Sequence, residues 1–360
     1  MIVDLHTRVW SQPEELGPAI AAQFRRRRAE PWEQADGSPE RFAEAMAPVD
    51  RAVLLGFEAA RLGASISAER VAEHVSANPE KYLGFAGIDP TVAKAPARLE
   101  AALDLGLVGA VVAPAAAGFH PTDTRAMELF ELCQSRHIPV LIESSGLMAR
   151  EARLEFDQPH LLDEVARECP DLKLVLGSLG DPWTDEALAL LAKHPTVYAD
   201  LSGLVSRPWR LMNILMSAYQ QDVMSQLLFG SNFPWFTPEQ AIVNLYSVNT
   251  FTQGTHLPSV PREQLRSVVE RDTLAVLGID HAPAEPGSTA ASTQAPQAPQ
   301  TQAAEAATAE PSTQPEPKLP DLPRRKRKRK ATPTTPSPAE SPGSPESKQP
   351  AEPAAPDTRP

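Results

Sequence analysis

The sequence predicts an α/β protein whose main domain is a single (β/α)8 TIM barrel, and three observations support this fold class. Short apolar runs alternate with amphipathic segments from residue 1 to about residue 250. Such alternation is typical of a parallel sheet covered by helices. The apolar runs number eight, which is the strand count of a barrel of this length. No glycine-rich turn follows the first run, as one would in a doubly wound open sheet, the competing fold.

Strands and helices are predicted in turn along the chain. The predicted strands are residues 1–7, 51–57, 82–89, 108–114, 138–144, 172–178, 196–202 and 226–232. The predicted helices are residues 67–78, 93–106, 122–137, 159–169, 184–194, 208–222, 238–248 and about 261–277. Pro208 and Pro238 fall in the first turns of their helices, where a missing backbone N–H is harmless.

The connection between the first two strands is unusually long. It covers residues 11–50 and includes four consecutive arginines within Gln23–Arg28. Because the loops after barrel strands lie over the functional face, this insertion is a candidate lid. The alternative is a solvated helix with a basic face.

The composition changes sharply near residue 281 and divides the chain into residues 1–281 and 282–360. The second part is rich in Pro, Ala, Thr and Glu, with 18 of the 38 prolines and only two leucines among its large apolar residues. Such a segment cannot bury enough apolar surface to offset the entropy of ordering, so we predict a disordered tail. Residues 1–281 carry 24 basic and 37 acidic side chains, a balance that argues against a nucleic-acid groove on the barrel.

Residues 324–330 of the tail are seven consecutive lysines and arginines. Such a run binds polyanions without base specificity and so predicts an anionic partner, the alternative being a solubilising tail with no selective partner.

No basic and apolar leader opens the sequence, and no apolar run approaches the roughly 18 residues of a membrane span. We therefore expect a cytoplasmic protein without membrane contact. Cys133 and Cys169 are expected to be buried small apolar residues.

In such a barrel the C-terminal ends of the strands build the functional site. His6 and Arg8 are two residues apart on the first strand, so their side chains share a face. The other polar residues at or after strand ends are Glu58, Asp89, His120, Glu143, Ser144, Ser178, Asp200, Ser202 and Asn232. Asp200 is expected to be a structural hydrogen-bond acceptor. His120 either contacts a ligand or lies exposed on its loop.

The remaining histidines and two tryptophans are weaker candidates for the site. His137 and His194 precede strands, which places them at the opposite end of the barrel, and His74 is expected on the solvent-facing side of a helix. Trp183 and Trp235 follow strand ends, where they either wall the mouth of the barrel or pack beneath it.

Seven short motifs occur in a fixed order along residues 1–280. They are Asp4-Leu-His6, Gly84-Phe-Ala-Gly-Ile-Asp89, Ile138-Pro-Val-Leu-Ile142, Pro170-Asp-Leu-Lys-Leu-Val175, Leu179-Gly180-Asp-Pro-Trp183, Val197-Tyr-Ala-Asp-Leu-Ser-Gly203 and Phe229-Gly-Ser-Asn-Phe-Pro234. This series resembles the amidohydrolase-related (amidohydrolase 2) family. The family comprises metal-dependent hydrolases and decarboxylases with TIM-barrel folds, among them the aminocarboxymuconate-semialdehyde decarboxylase group.

The resemblance implies a divalent metal, usually zinc. Its ligands would be a His-x-His pair on the first strand, histidines ending strands five and six, and an Asp ending strand eight that also handles the proton of metal-bound water. His6 matches the first ligand. The other four positions hold Arg8, Glu143, Ser178 and Asn232, so four of the five ligands are substituted.

These substitutions argue against the inherited chemistry. Zinc sites use three or four His, Cys or carboxylate ligands, but only His6 and Glu143 remain, and Asn232 cannot take a proton. We therefore expect no cofactor, the alternative being one zinc or manganese ion held atypically by His6 and Glu143. Arg8 is predicted to pair with Glu143 where the metal was lost, supported by His6, Ser178 and Asn232. The alternative turns Arg8 out to solvent.

The substituted site predicts a pseudoenzyme, a barrel kept as a module that binds a small molecule or a partner. The alternative is an active hydrolase or decarboxylase acting on a C–N, C–O or C–C bond of a small carboxylated substrate, either metal-free or with an altered metal site. Arg8 suits a carboxylated ligand because a guanidinium holds a carboxylate through two parallel hydrogen bonds. The candidate substrate-binding residues are Arg8, Glu143, Ser178 and His120. The resemblance also implies a homodimer.

Overall fold

Eight parallel strands form the sheet predicted from the sequence. The computed structural model describes residues 1–10, 17–26, 36–144 and 149–280. The barrel strands are β1 (Val3–Thr7), β2 (Arg51–Leu55), β5 (Tyr82–Gly87), β6 (Gly109–Val112), β7 (Val140–Ile142), β8 (Leu174–Leu176), β9 (Val197–Asp200) and β10 (Leu227–Leu228), paired in that order. A two-stranded antiparallel hairpin, β3 (Phe57–Ala59) with β4 (Ala64–Ile66), follows β2.

Helices fill the connections between these strands. They are α1 (Pro18–Arg26), α2 (Pro39–Ala45), α3 (Ala68–Ser76), α4 (Ala95–Asp104), α5 (Pro114–Ala117), α6 (Thr124–Ser135), α7 (Leu162–Glu168), α8 (Thr184–Lys193), α9 (Pro208–Gln220), α10 (Pro238–Tyr246), α11 (Arg262–Val269) and α12 (Thr273–Leu277). None of the helices in the described part of the chain combines the length and apolar character that crossing a bilayer requires.

The first and last strands meet through the chain that continues beyond β10. The amide of Leu5 donates to the carbonyl of Phe229 at 3.1 Å, and the amide of Asn232 donates to the carbonyl of His6 at 3.1 Å. Thr7 and Phe233 form a parallel bridge. These contacts nearly close the barrel and bring the segment after β10 against the end of β1.

The barrel encloses its own apolar core. Its members include Val3, Leu5, Val53, Leu55, Phe85, Val111, Leu141, Val175 and Leu228. Leu274 and Leu277 of α12 belong to the same cluster, as do the partly buried Met1 and Val108, which precede β1 and β6. The helix α12 therefore covers the N-terminal end of the barrel and leaves the C-terminal end for the site. Cys133 and Cys169 are buried, as predicted.

Some details differ from the sequence predictions. The predicted second strand ends at Leu55, and Phe57 instead opens the hairpin. The predicted helix over about 261–277 is two helices, because Asp272 caps a new one by accepting from the amide of Ala275 at 3.0 Å. His74 is half-buried rather than solvent-facing, since it lies three residues after the buried Val71 on α3.

Two predicted features extend outside the described residues. The candidate lid is described only as α1 and α2, and the tail of residues 282–360 is not described. The lid, the disordered tail and the anionic partner of residues 324–330 therefore stay predictions.

Candidate functional site

A β-bulge in β1 sets the directions of His6 and Arg8. Asp4 is paired with Ala52, but Thr7 is paired with Leu54, so β1 holds one residue more than β2 over this stretch. A bulge of this kind re-aims side chains at the end of a strand. Leu5 stays in the enclosed core, while His6 and Arg8 both reach the polar cluster at the C-terminal end.

Asp4 fixes the backbone around the bulge. Its Oδ1 atom accepts from the amide of His6 at 3.2 Å and from the amide of Ser231 at 2.9 Å. Asp4 is fully buried, and burial raises its pKa to about 6 although hydrogen bonds with Ser231 act in the opposite direction. Asp4 thus links the site end of β1 to the segment after β10.

The raised pKa of Asp4 predicts a pH dependence of stability. Because its folded pKa lies above the ordinary value of 3.8, ionisation favours the unfolded chain, so this contribution weakens the fold as pH rises from about 4 to about 6. We expect Asp4→Asn to gain about 2 kcal/mol relative to wild type between pH 4.5 and pH 7.5. Urea unfolding of both proteins at the two pH values measures this difference. An Asn variant whose offset from wild type is equal at both pH values would contradict the assignment.

Arg8 and Glu143 form a buried ion pair. The Nη2 atom of Arg8 donates to Oε2 of Glu143, and the two side chains are only 2% and 7% exposed. The predicted pair is therefore present, and the alternative that turned Arg8 to solvent is wrong. The guanidinium also lies 6.0 Å from the centre of the Phe57 ring.

His6 joins this pair to a second carboxylate. Its Nε2 atom is 3.2 Å from Nη1 of Arg8, and its Nδ1 atom is 2.9 Å from Oδ2 of Asp200. A guanidinium can only donate, so Nε2 accepts and Nδ1 carries the proton that is donated to Asp200. This assignment of the neutral tautomer follows from the hydrogen-bond network.

Asp200 anchors the far end of the network. Its Oδ1 atom accepts from the amides of Ser178 at 3.0 Å and Ser202 at 2.9 Å, and the side chain is fully buried. Burial by itself raises the pKa of Asp200, but the interactions with His6 and Ser202 outweigh burial and lower it. Asp200 is thus an ionised hydrogen-bond acceptor for three donors, the structural role expected for it.

Ser178 and Asn232 support the site mainly through their backbones. Ser178 has φ 51° and ψ 30°, and its hydroxyl accepts from the amide of Gly203 at 3.0 Å and lies 3.1 Å from the hydroxyl of Ser202. Asn232, with φ 66°, is tied to His6 by its own amide. Among the described residues, the side-chain-mediated hydrogen bonds of Ser178 run to Asp200 at the end of β9 and to the loop after it, and none reaches Arg8 or Glu143.

The remaining strand-end residues form separate contacts. Glu58 accepts two hydrogen bonds from Arg98, at 2.8 and 2.6 Å, and one from the amide of Asp89 at 2.9 Å. His120 is half-buried, with Nδ1 2.8 Å from the hydroxyl of Thr122 and its ring edge-on to Phe156. Within the described chain, no hydrogen bond or ion pair joins Glu58 or His120 to Arg8, Glu143 or His6.

Five further residues named in the sequence analysis make only local contacts among the described residues. Ser144 donates to the carbonyl of Gly177 at 2.5 Å and so joins the ends of β7 and β8. Trp183 and Trp235 are half-buried, and Trp235 packs 5.5 Å from Trp10. His137 and His194 precede β7 and β9, as expected, and His194 contacts Asp163 at 2.8 Å.

Comparison with known proteins assigns this barrel to a family. The model of the family described as "Amidohydrolase" matches residues 3–271. The chain belongs to the amidohydrolase family. No sequence among curated proteins matches it significantly. The family assignment confirms the resemblance seen in the motifs.

Several solved structures share this barrel fold. An uncharacterised TIM-barrel protein of Bordetella bronchiseptica is 21% identical, with a TM-score of 0.60 over 77% of this chain and 99% of its own. A dihydroxybenzoic acid decarboxylase of Polaromonas, with bound manganese and 2-nitroresorcinol, is 15% identical, with a TM-score of 0.55 over 78% and 98%. A 5-carboxyvanillate decarboxylase of Sphingomonas paucimobilis is 16% identical, with a TM-score of 0.56 over 78% and 99%. These identities establish the shared fold alone.

The amidohydrolase family implies a divalent metal, and the donor set of this chain does not fit one. Nowhere in the described part of the chain do three His, Cys, Asp or Glu side chains gather in a metal-binding group. Both ring nitrogens of His6 are engaged, by Arg8 and by Asp200, and the carboxylate of Glu143 is engaged by Arg8. A guanidinium within hydrogen-bond distance of the retained histidine opposes a dication there.

Proposed function

We propose that this barrel is a pseudoenzyme of the amidohydrolase family that binds a small molecule or a partner at its mouth. The buried Arg8–Glu143 pair carries the proposal, because it supplies internally the positive charge that a metal supplies elsewhere in the family. A dication about 4 Å from the Arg8 guanidinium would be repelled by roughly 8 kcal/mol at an effective dielectric constant near 20. Asn232, at the position of the family aspartate, has no carboxylate to take up a proton.

Metal content tests this proposal. We expect elemental mass spectrometry to find far less than one zinc or manganese ion per chain in wild type purified without chelator or histidine tag. A variant that restores the family ligands, with Arg8→His, Glu143→His, Ser178→His and Asn232→Asp, is expected to retain close to one ion per chain. About one ion per wild-type chain, lost in Glu143→Ala, would show instead that the site had been rebuilt around an atypical ligand set.

A metal-free enzyme is the second candidate, and the His6–Asp200 pair favours it. A carboxylate that orients an imidazole is a common support for proton transfer, and here Nε2 of His6 faces the Arg8–Glu143 pair. A small carboxylated substrate held by Arg8 would bring a reacting bond near that nitrogen. Incubation of chelator-treated protein with dihydroxybenzoates, followed by measurement of released carbon dioxide, tests this candidate. Activity in wild type that His6→Gln abolishes would favour the enzyme over the pseudoenzyme.

A further inference from the structure

We propose that Glu143 occupies the guanidinium of Arg8 when no ligand is bound, and that the carboxylate of the ligand displaces it. The ligand is therefore a small monocarboxylate, and Glu143 keeps the site closed in its absence. This inference rests on the proposed binding function and names both the ligand class and the regulation of the same site.

The hydrogen bonds of Arg8 to described residues leave one buried donor of its guanidinium unpaired. Nη1 contacts His6 and Nη2 contacts a single oxygen of Glu143, whereas the buried Nε has no hydrogen-bond partner within the described chain. The N–H of Nε and one N–H of Nη2 point the same way, so together they form a fork that fits both oxygens of a carboxylate. Glu143 engages Nη2 and lies 3.7 Å from Nε2 of His6, so it does not reach Nε of Arg8. A buried donor without a partner is rare and costly, which favours a ligand that satisfies it.

Glu143 is also the member of the network best placed to move. It is 7% exposed, against 2% for Arg8 and 1% for His6, so it lies at the solvent edge. The backbone of Glu143 is fixed by its amide, which donates to the carbonyl of Val112 at 2.8 Å. Among the described residues, its side chain has the Arg8 hydrogen bond and a 3.7 Å approach to Nε2 of His6 as its only polar contacts. A rotation of the side chain alone would release Arg8 without moving β7.

The charges of the buried cluster of His6, Arg8, Glu143 and Asp200 favour an anion that replaces Glu143 over one that binds beside it. With neutral His6, the charges of Arg8, Glu143 and Asp200 sum to a net charge of −1. An added carboxylate beside Glu143 would place a third negative charge in the buried cluster, which is unfavourable. The same carboxylate in place of Glu143 leaves the net charge unchanged. An uncharged ligand gains nothing from the exchange, so the carboxylate is the group that is recognised.

Binding of benzoate to the full-length chain tests this inference, with benzamide as the uncharged probe of the same shape and inorganic phosphate as a second anion. We expect isothermal titration to show that Glu143→Gln binds benzoate about tenfold or more tightly than wild type, with no gain for benzamide. Glu155→Gln is the matched control, because Glu155 is 69% exposed on the loop after β7. It should leave benzoate affinity unchanged. The double variant Arg8→Gln with Glu143→Gln should lose the gain.

Equal benzoate affinities of wild type and Glu143→Gln would overturn the inference, as would tighter binding of phosphate than of benzoate by Glu143→Gln. Thermal unfolding confirms that each variant is folded, and Glu143→Asp, which shortens the reach to Arg8, replaces Glu143→Gln if the latter does not fold. Metal content is measured on the same preparations. Stoichiometric metal in wild type would refute the proposed function, whereas metal-free protein with unchanged benzoate binding would refute only the role of Glu143.

Discussion

Replacing Arg8 alone by methionine is expected to lower the free energy of unfolding by about 3–5 kcal/mol. The substitution leaves the carboxylate of Glu143 nearly buried without its cation and removes the donor to Nε2 of His6. An uncompensated buried charge costs far more than the lost attraction of an exposed pair. The exposed pair of Arg41 and Glu44 provides the control, and Arg41→Met should cost less than about 1 kcal/mol. Urea unfolding at pH 7 measures both changes.

The double variant Arg8→Met with Glu143→Leu shows whether the loss of stability comes from an unpaired buried charge or from poorer packing. Apolar residues of similar volume in place of a buried ion pair are often neutral or stabilising. We therefore expect the double variant to recover most of the stability that Arg8→Met loses. Two results would contradict this explanation: a single variant as stable as wild type, or a double variant no more stable than the single one. Either would show that Arg8 does not neutralise a buried charge on Glu143.

The fold could be predicted because the signals for it are local and repeated. Strands buried on both faces are continuous apolar runs, and each helix has its own amphipathic pattern, so all eight barrel strands were found. The hairpin β3–β4 is not predicted because its strands are three residues each and β3 follows β2 after a single residue. The division into α11 and α12 depends on Asp272 as a cap within a pattern that otherwise continues.

The candidate site could be predicted in part. The family motifs place Arg8 and Glu143 at ligand positions, and opposite charges that replace a metal are expected to pair. The same reasoning gave Ser178 and Asn232 a supporting role. The amide of Ser178 does donate to Asp200, but its hydroxyl contacts Ser202 and Gly203, and the contact of Asn232 with His6 is through its backbone. Strand-end position alone cannot tell which way a side chain turns.

Two features of the site gave no clear signal in the sequence. The bulge in β1 adds one residue between Asp4 and Thr7 without breaking the apolar pattern. The close approach of Gly230 is equally hidden, although a β-carbon there would lie 2.9 Å from Cβ of His6. Both features decide the placement of His6. The bulge depends on the pairing of β1 with β2, and the approach of Gly230 depends on the contact of β1 with the segment after β10.

Asp200→Asn is expected to cost about 3–5 kcal/mol of unfolding free energy, although it changes a single atom type. If the amide oxygen of Asn keeps the two hydrogen bonds from Ser178 and Ser202, its NH2 group faces Nδ1 of His6. Nδ1 would then have to accept, which moves the ring proton to Nε2 and sets it against an N–H of Arg8. With the ring proton on Nδ1, the NH2 group of the Asn side chain faces another donor; with the proton on Nε2, Arg8 does. Each tautomer therefore leaves at least one buried donor without a partner, and this loss is the source of the cost.

Long-range 15N NMR of His6 distinguishes this explanation from simple loosening of the fold. Wild type should show the tautomer with the proton on Nδ1, and Asp200→Asn should show the other tautomer or exchange between the two. The lowered pKa of Asp200 adds a second readout: its ionised form contributes stability above the ordinary Asp pKa, and this contribution is lost as pH falls through the folded value. Asp200→Asn should therefore approach wild-type stability in acid. An unchanged tautomer together with a cost that is independent of pH would show that Asp200 does not orient His6.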